Sequence, residues 1–150
     1  MQVKRHENVL YKDDSKLCQI PLDPSLVVTI QAYNEAVNAV IDAGWERKSY
    51  NKNVLHFSTY KSIRERIPDL QSSLVQCARD VASASLKLAK KREWKCKKPV
   101  KKAMSSIRLN QRTFTPFLES GTISISTVDG RKKYPLVIPE YFREPGPLPN

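Results

Sequence analysis

Nine cations crowd into the stretch from residue 87 to residue 102: Lys87, Lys90, Lys91, Arg92, Lys95, Lys97, Lys98, Lys101 and Lys102, opposed by Glu93 alone. Cations at this density neutralise phosphates and release counterions, so the chemistry they suit is attachment to a polyanion, of which nucleic acid is the commonest. A helix dipole favours cations only over its last turn, and this run is several times longer than that. Arg108 and Arg112 extend it, and Arg131, Lys132 and Lys133 form a second basic tip just past Asp129-Gly130. Trp94 is interleaved among the lysines, where an indole either stacks on an unpaired base or anchors a helix end to the core. Ser72, Ser73, Gln76 and Arg79 carry side chains of the types that read base edges.

The positive charge is local. Of the formal +11 on this 150-residue chain, the segment from Ser83 to Leu118 holds eleven Lys or Arg and one acid; the remainder holds fifteen basic and fourteen acidic residues. Catalytic constellations are missing. The sequence has no Gly-rich phosphate loop, no Gly-x-Ser-x-Gly and no His-Glu-x-x-His, and only four glycines in all. Asp13 and Asp14 lie between Lys12 and Lys16 and read as a solvated turn. Cys18, Cys77 and Cys96 are odd in number with no Cys-x-x-Cys, and His6 and His56 complete no ligand set, so disulfide, metal and cofactor are all unexpected. Charges run through the first thirty residues and no window of about eighteen apolar residues occurs, which points to a cytoplasmic protein without a membrane span.

These residues need elements to hold them. A chain of this length makes one domain, or one with an insertion, and buries about two-thirds of its unfolded surface. Leu70, Leu74, Cys77, Val81, Ala84 and Leu88 recur at helical steps and predict the longest helix, capped by Asp69, with a second row of small residues at Val75, Ala78, Ala82, Ser85 and Ala89. Asp23-Pro24 predicts the start of an earlier helix, with Gly44 its stop, and Ser58 or Thr59 the start of a shorter one with Phe57, Ile63 and Ile67 apolar. Asn34, Glu35 and Asn38 lie off the first helix's apolar stripe.

On either side the pattern has period two. Val9 to Tyr11 and Leu17 to Ile20 read as short strands. Ile107 and Leu109, then Ile123 and Ile125, then Tyr134, Leu136 and Ile138 alternate with polar residues about a tight turn at Asp129-Gly130, while Pro116, Pro135 and Pro139 mark edges. The order of strands, helices and strands predicts an α+β fold. It is a small antiparallel β-barrel or meander, with strands before residue 23 and after about 105, interrupted by an inserted three-helix block. Residues 1–22 and 103–142 would form the barrel and 23–102 the helical block with its basic end, with 143–150 an aperiodic tail expected to be disordered.

Five segments, Gln31 to Asn38 (QAYNEAVN), Tyr60 to Glu65 (YKSIRE), Pro68 to Ala78 (PDLQSSLVQCA), Ile107 to Phe114 (IRLNQRTF) and Gly121 to Tyr141 (GTISISTVDGRKKYPLVIPEY), together resemble the amino-terminal part of the OrfB/TnpB family. These are insertion-sequence RNA-guided nucleases related to compact type V CRISPR effectors. The resemblance implies a wedge-type barrel with an inserted recognition domain, contacting guide-RNA scaffold and a short duplex motif beside the target. It would make Ser72, Ser73 and Gln76 readers of that duplex, and would turn Lys87 to Lys102 and Arg108 toward nucleic-acid backbone. The family often shows Pro-Ser-Gln where this chain has Gln71, Ser72 and Ser73. Its nuclease half would begin beyond Tyr141, so the resemblance implies a module that binds without cutting. Two other roles fit the composition: a DNA-binding regulator of transposition working without RNA, and an assembly module whose basic run meets an acidic protein.

Overall fold

Asp23 stands one residue before Pro24, and its carboxylate accepts the Leu26 amide at 2.8 Å, which starts the first helix where the sequence predicts it. The computed structural model describes residues 20–137. Its elements are α1 (Pro24–Arg47), α2 (Lys52–Arg66), α3 (Ser72–Lys91), β1 (Phe114–Phe117), β2 (Thr122–Thr127) and β3 (Gly130–Pro135), an α+β arrangement.

The helix boundaries differ from expectation for local reasons. Gly44 does not stop α1, which runs on to Lys48, whose left-handed backbone (φ 54°) turns its N–H back onto the Gly44 and Trp45 carbonyls. Gly44 is instead where two elements cross: a Cβ there would run into Leu86 Cδ1, with Ser49 O at 2.8 Å and Leu55 Cδ2 at 2.9 Å. α2 starts well before Ser58, because Asn51 Oδ1 accepts the Asn53 and Val54 amides and caps it. Its buried stripe is Leu55, Thr59 and Ile63; Phe57, expected inside, is 87 % exposed. Asp69 lies in the turn before α3 and Gln71 takes the cap position without a side-chain bond.

In α3 the small row turns inward. Val75, Ala78, Ala82 and Ala89 of that row are buried together with Leu70, Leu74 and Cys77 of the expected stripe and with Leu86 of neither row, whereas Ala84 and Leu88 at the far end of the stripe face out, Leu88 60 % exposed. Small side chains let α3 approach α1 closely, and toward its end that packing favours the small row.

The three strands form an antiparallel meander in the order β1-β2-β3. Thr127 pairs with Gly130 across a two-residue turn of Val128 and Asp129, with Gly130 at φ 96°, so the expected hairpin forms with its turn one residue before the Asp129-Gly130 pair. Pro116 and Pro135 fall on the two edge strands, where a missing N–H breaks no ladder. Ile107 and Leu109 belong to no strand; the connector bearing them packs both residues against both hydrophobic cores. Among the described residues the sheet is open. The strands read at 9–11 and in most of 17–20, Pro139 and the tail lie outside the described residues.

Both cores use α1. Tyr33, Val37, Val40 and Ile41 meet α2 and α3, while Leu26 and Ile30 meet Ile125 and Tyr134 of the sheet. The sheet docks on the first turns of α1: Ser25 Oγ donates to Asp129 (2.5 Å), the Val128 amide to Thr29 Oγ1 (2.9 Å), Tyr134 OH to Asp23 Oδ1 (3.1 Å) and Lys132 Nζ to Asp23 Oδ2 (3.2 Å). Burial pushes the Asp23 carboxyl up, but the Leu26 amide, Lys132 and the Tyr134 hydroxyl outweigh it and hold it below the ordinary carboxylate value.

Candidate nucleic-acid interface

The basic run divides between a helix end and an irregular connector. Lys87, Lys90 and Lys91 occupy the last turns of α3 and Arg92 its cap, all exposed; Lys95, Lys97, Lys98, Lys101 and Lys102 follow after the chain turns back. Glu93 and Trp94 both take positive φ (55° and 60°) to make that reversal, and the Trp94 amide closes onto Ala89 O at 2.9 Å. The Trp94 ring meets Trp45 edge-on, with centroids 5.5 Å apart, and Lys48 Nζ sits 4.4 Å from the Trp45 ring and 5.4 Å from that of Trp94. Of the two roles open to Trp94, this contact describes the anchor: it holds the reversal against the helical core.

Beyond the reversal the connector has no strand partner, so its backbone needs other ones. Asn34, only 1 % exposed, donates from Nδ2 to Ala103 O (2.9 Å) and Ser105 O (2.8 Å). Asn38, one turn on, donates to Lys101 O (2.9 Å) and accepts the Lys101 amide (2.8 Å). Tyr33 OH donates to Arg108 O at 2.8 Å; burial is the main cause that pushes this phenol above its ordinary range and keeps it a donor. Three residues of α1 thus fix the backbone from Lys101 to Arg108. Tyr33 belongs to the apolar stripe, whereas Asn34 and Asn38 lie off it, and the signal that could have found those two is a pair of asparagines spaced four apart on one helix face.

Held in this way, the connector and Val81 of α3 enclose an open groove of about 650 Å³, walled by Lys101, Lys102 and Arg108 and floored by Met104 and Ile107. Few of the cations around it have acid partners among the described residues. Lys98 pairs with Asp42 (2.7 Å) and Lys95 with Glu93 (3.8 Å); Lys87, Lys90, Lys91, Arg92, Lys97 and Lys102 have none. The second basic tip is partly engaged within the fold. Lys132 holds Asp23 and Ser25, Arg131 donates to Ser124 O (3.2 Å) and Arg112 O (3.4 Å), and Lys133 lies over the Phe117 ring. The Arg112 side chain is exposed beside them.

The residues read as base contacts lie elsewhere, along the seam between α2 and α3. Ser83 Oγ donates to Tyr50 O (2.7 Å), Lys52 pairs with Asp80 (3.7 Å), Arg79 contacts His56 Nδ1 (3.1 Å) and Arg64 donates to Leu70 O, so the two helices run antiparallel. Arg79 is also tied to its neighbour Asp80 at 3.0 Å. Ser72, Ser73 and Gln76, exposed or half-buried, lie in the part of α3 between the Arg64 and Arg79 contacts. His56 and Tyr60, which the sequence did not single out for binding, stack there at 4.6 Å.

Among the described residues no group of three or more His, Cys, Asp or Glu could hold a metal ion, and no helix is long and apolar enough to cross a membrane. Comparison of the chain with protein-family models, with curated proteins and with solved structures finds no match to any of them.

Proposed function

We propose that the chain is a non-catalytic nucleic-acid-binding module whose main contact surface is the end of α3 with the connector from Lys95 to Arg108. The observation that carries this reading is the pinned backbone of that connector: α1 commits the buried Asn34 and the half-buried Asn38 to fixing a densely cationic segment in which, among the described residues, only Lys95 and Lys98 have acid partners. A solvated charge run needs no such fixing, whereas a phosphate-binding surface gains from it because less freedom is lost on binding. The OrfB/TnpB resemblance supports the same reading and extends it to a wedge and recognition half, cytoplasmic, that holds guide-RNA scaffold through the basic rail and a short DNA motif through Ser72, Ser73 and Gln76. In that reading the meander is part of a small barrel, and the single β-bridges at Pro21 and Val137 are where closure would begin.

The test is fluorescence anisotropy of a structured RNA and of a duplex DNA between 50 and 200 mM salt. Replacing Lys90, Lys91 and Lys95 by Ala should weaken binding evenly across sequences and reduce the log–log salt slope by about two to three. A triple variant that binds as the unaltered protein sinks the proposal. RNA binding that survives competition from duplex DNA separates it from a guide-free DNA regulator.

A further inference from the structure

Phe57 is the most exposed large apolar side chain among the described residues, at 87 %. It sits at the outer end of an ordered array rather than alone. Asp80 holds Arg79 at 3.0 Å, Arg79 meets His56 Nδ1 at 3.1 Å, and His56 lies nearly parallel to Tyr60 at 4.6 Å and edge-on to Phe57 at 6.0 Å. Arginine is a donor only, so Nδ1 is the acceptor there and the imidazole has a fixed orientation. The rings are therefore set before any ligand arrives.

From this array we infer that Phe57, backed by His56 and Tyr60, is a stacking platform for an unpaired base of a bound strand. The inference rests on the nucleic-acid reading above and adds a second contact to it, on a different face. Two observations select the occupant. One cation is free at the platform: of the four on α2, Lys52 pairs with Asp80, Arg66 with Glu35 and Arg64 donates to Leu70 O, whereas Lys61, exposed and without an ion-pair partner among the described residues, stands one turn from Phe57 on the same face. That places a positive charge where the phosphate of a stacked nucleotide would lie. The platform also offers a ring face, which a paired base cannot use because its own faces are already stacked within the duplex. An apolar protein partner would need a broader patch, and nearby only Val54 and Tyr50 are exposed apolar residues on this part of the chain.

The probe is a fluorescein-labelled 12-nucleotide oligouridine, with a perfectly paired duplex of the same length, titrated against the full chain and three variants. Phe57→Ala should weaken oligouridine binding roughly fivefold to a hundredfold, by the usual worth of base–aromatic stacking, with duplex affinity and the salt slope unchanged. Phe57→Trp should restore it. Val28→Ala, which trims an exposed apolar side chain on α1 away from both surfaces, should leave it alone. Because Phe57 faces solvent, Phe57→Ala should melt with the unaltered protein, so a binding loss is not a folding loss. If Phe57→Ala binds oligouridine as before while Lys90, Lys91 and Lys95 still matter, the platform is wrong and the basic rail stands. Should the substitution change only self-association in sedimentation, the ring is a protein contact and the inference fails. If the unaltered chain binds neither probe at low salt, both readings fall together.

Discussion

Replacing Asn34 probes the link between fold and site most directly. Its amide donates to Ala103 O and Ser105 O from a position that is 1 % exposed. Asn34→Leu keeps the volume and removes both donors. Each hydrogen bond is worth about 1 kcal/mol net, and a carbonyl left without a partner costs a further 1–3 kcal/mol unless it reaches water. The connector can shift enough to hydrate part of what it loses, so the expected destabilisation is about 2–4 kcal/mol. For a chain of this size that lowers the melting temperature by roughly 5–15 °C. Asn34→Asp is the sharper perturbation. It has the same shape, but an ionised carboxylate would aim acceptors at two carbonyl oxygens, and even when protonated it offers one donor for two bonds. It should therefore melt below the leucine variant at neutral pH and recover part of the difference as pH falls toward the carboxylate range. Hydrogen exchange completes the assay. Amides from Lys101 to Arg108 should lose protection in both variants while those of α2 keep theirs, and RNA affinity should fall although no cation has been removed. Both variants melting within a degree of the unaltered protein, with protected connector amides, would refute the reasoning that α1 fixes this segment.

Three further outcomes follow from the packing and the charges. Leu86→Ala should cost about 2–5 kcal/mol in urea denaturation, as buried leucines do, and Leu88→Ala less than about 0.5 kcal/mol; equal losses would mean that α3 turns the other row inward. Gly44→Ala should destabilise by about 2 kcal/mol or more, because the Ser49 carbonyl and the Leu55 and Leu86 side chains already fill the space its Cβ needs; a neutral result in the same titration would contradict the close crossing. The Asp23 carboxyl lies below its ordinary value of 3.8 in the fold, so the folded state binds that proton less readily than the unfolded chain. Its stabilisation is complete above the ordinary value and is lost as pH falls through the lower folded value, so the stability gap between the unaltered protein and Asp23→Asn should narrow steadily from about pH 5 downward.

Elements announced by local chemistry were legible in the sequence, and those decided by tertiary partners were not. Asp23-Pro24 and Asp129-Gly130 fix backbone geometry within a few residues: the helix starts where expected and the hairpin forms with its turn one residue early. α3 was legible as a helix and the start of its buried face was too, with Leu70, Leu74 and Cys77 inside as expected; toward its end the close approach to α1 buries Leu86, which neither expected row contained, and leaves Leu88 outside. The cap at Asn51 was passed over in favour of Ser58 or Thr59, which delayed the expected start of α2 and misplaced Phe57. Ile107 and Leu109 alternate as a strand would, yet they alternate because the connector touches both cores, a relation that one-dimensional periodicity cannot express. For the candidate site, the cations were legible from density alone. The asparagines that hold their backbone were not, since a polar residue beside an apolar stripe reads as solvent-facing until something packs over it.

The shared use of α1 by two cores has a consequence for the order in which the molecule is made. The helical core joins segments close in the chain and can assemble once residues up to about 91 exist. The partners of Asp23 lie 109 and 111 positions away, at Lys132 and Tyr134. Loop closure of that length is slow and comes late. On that ordering the amino end of α1 would keep a bare flank until Ile125 and Tyr134 cover Leu26 and Ile30, and the basic rail, tied to Asn38 and Asn34, would bridge the local and the long-range parts of the fold.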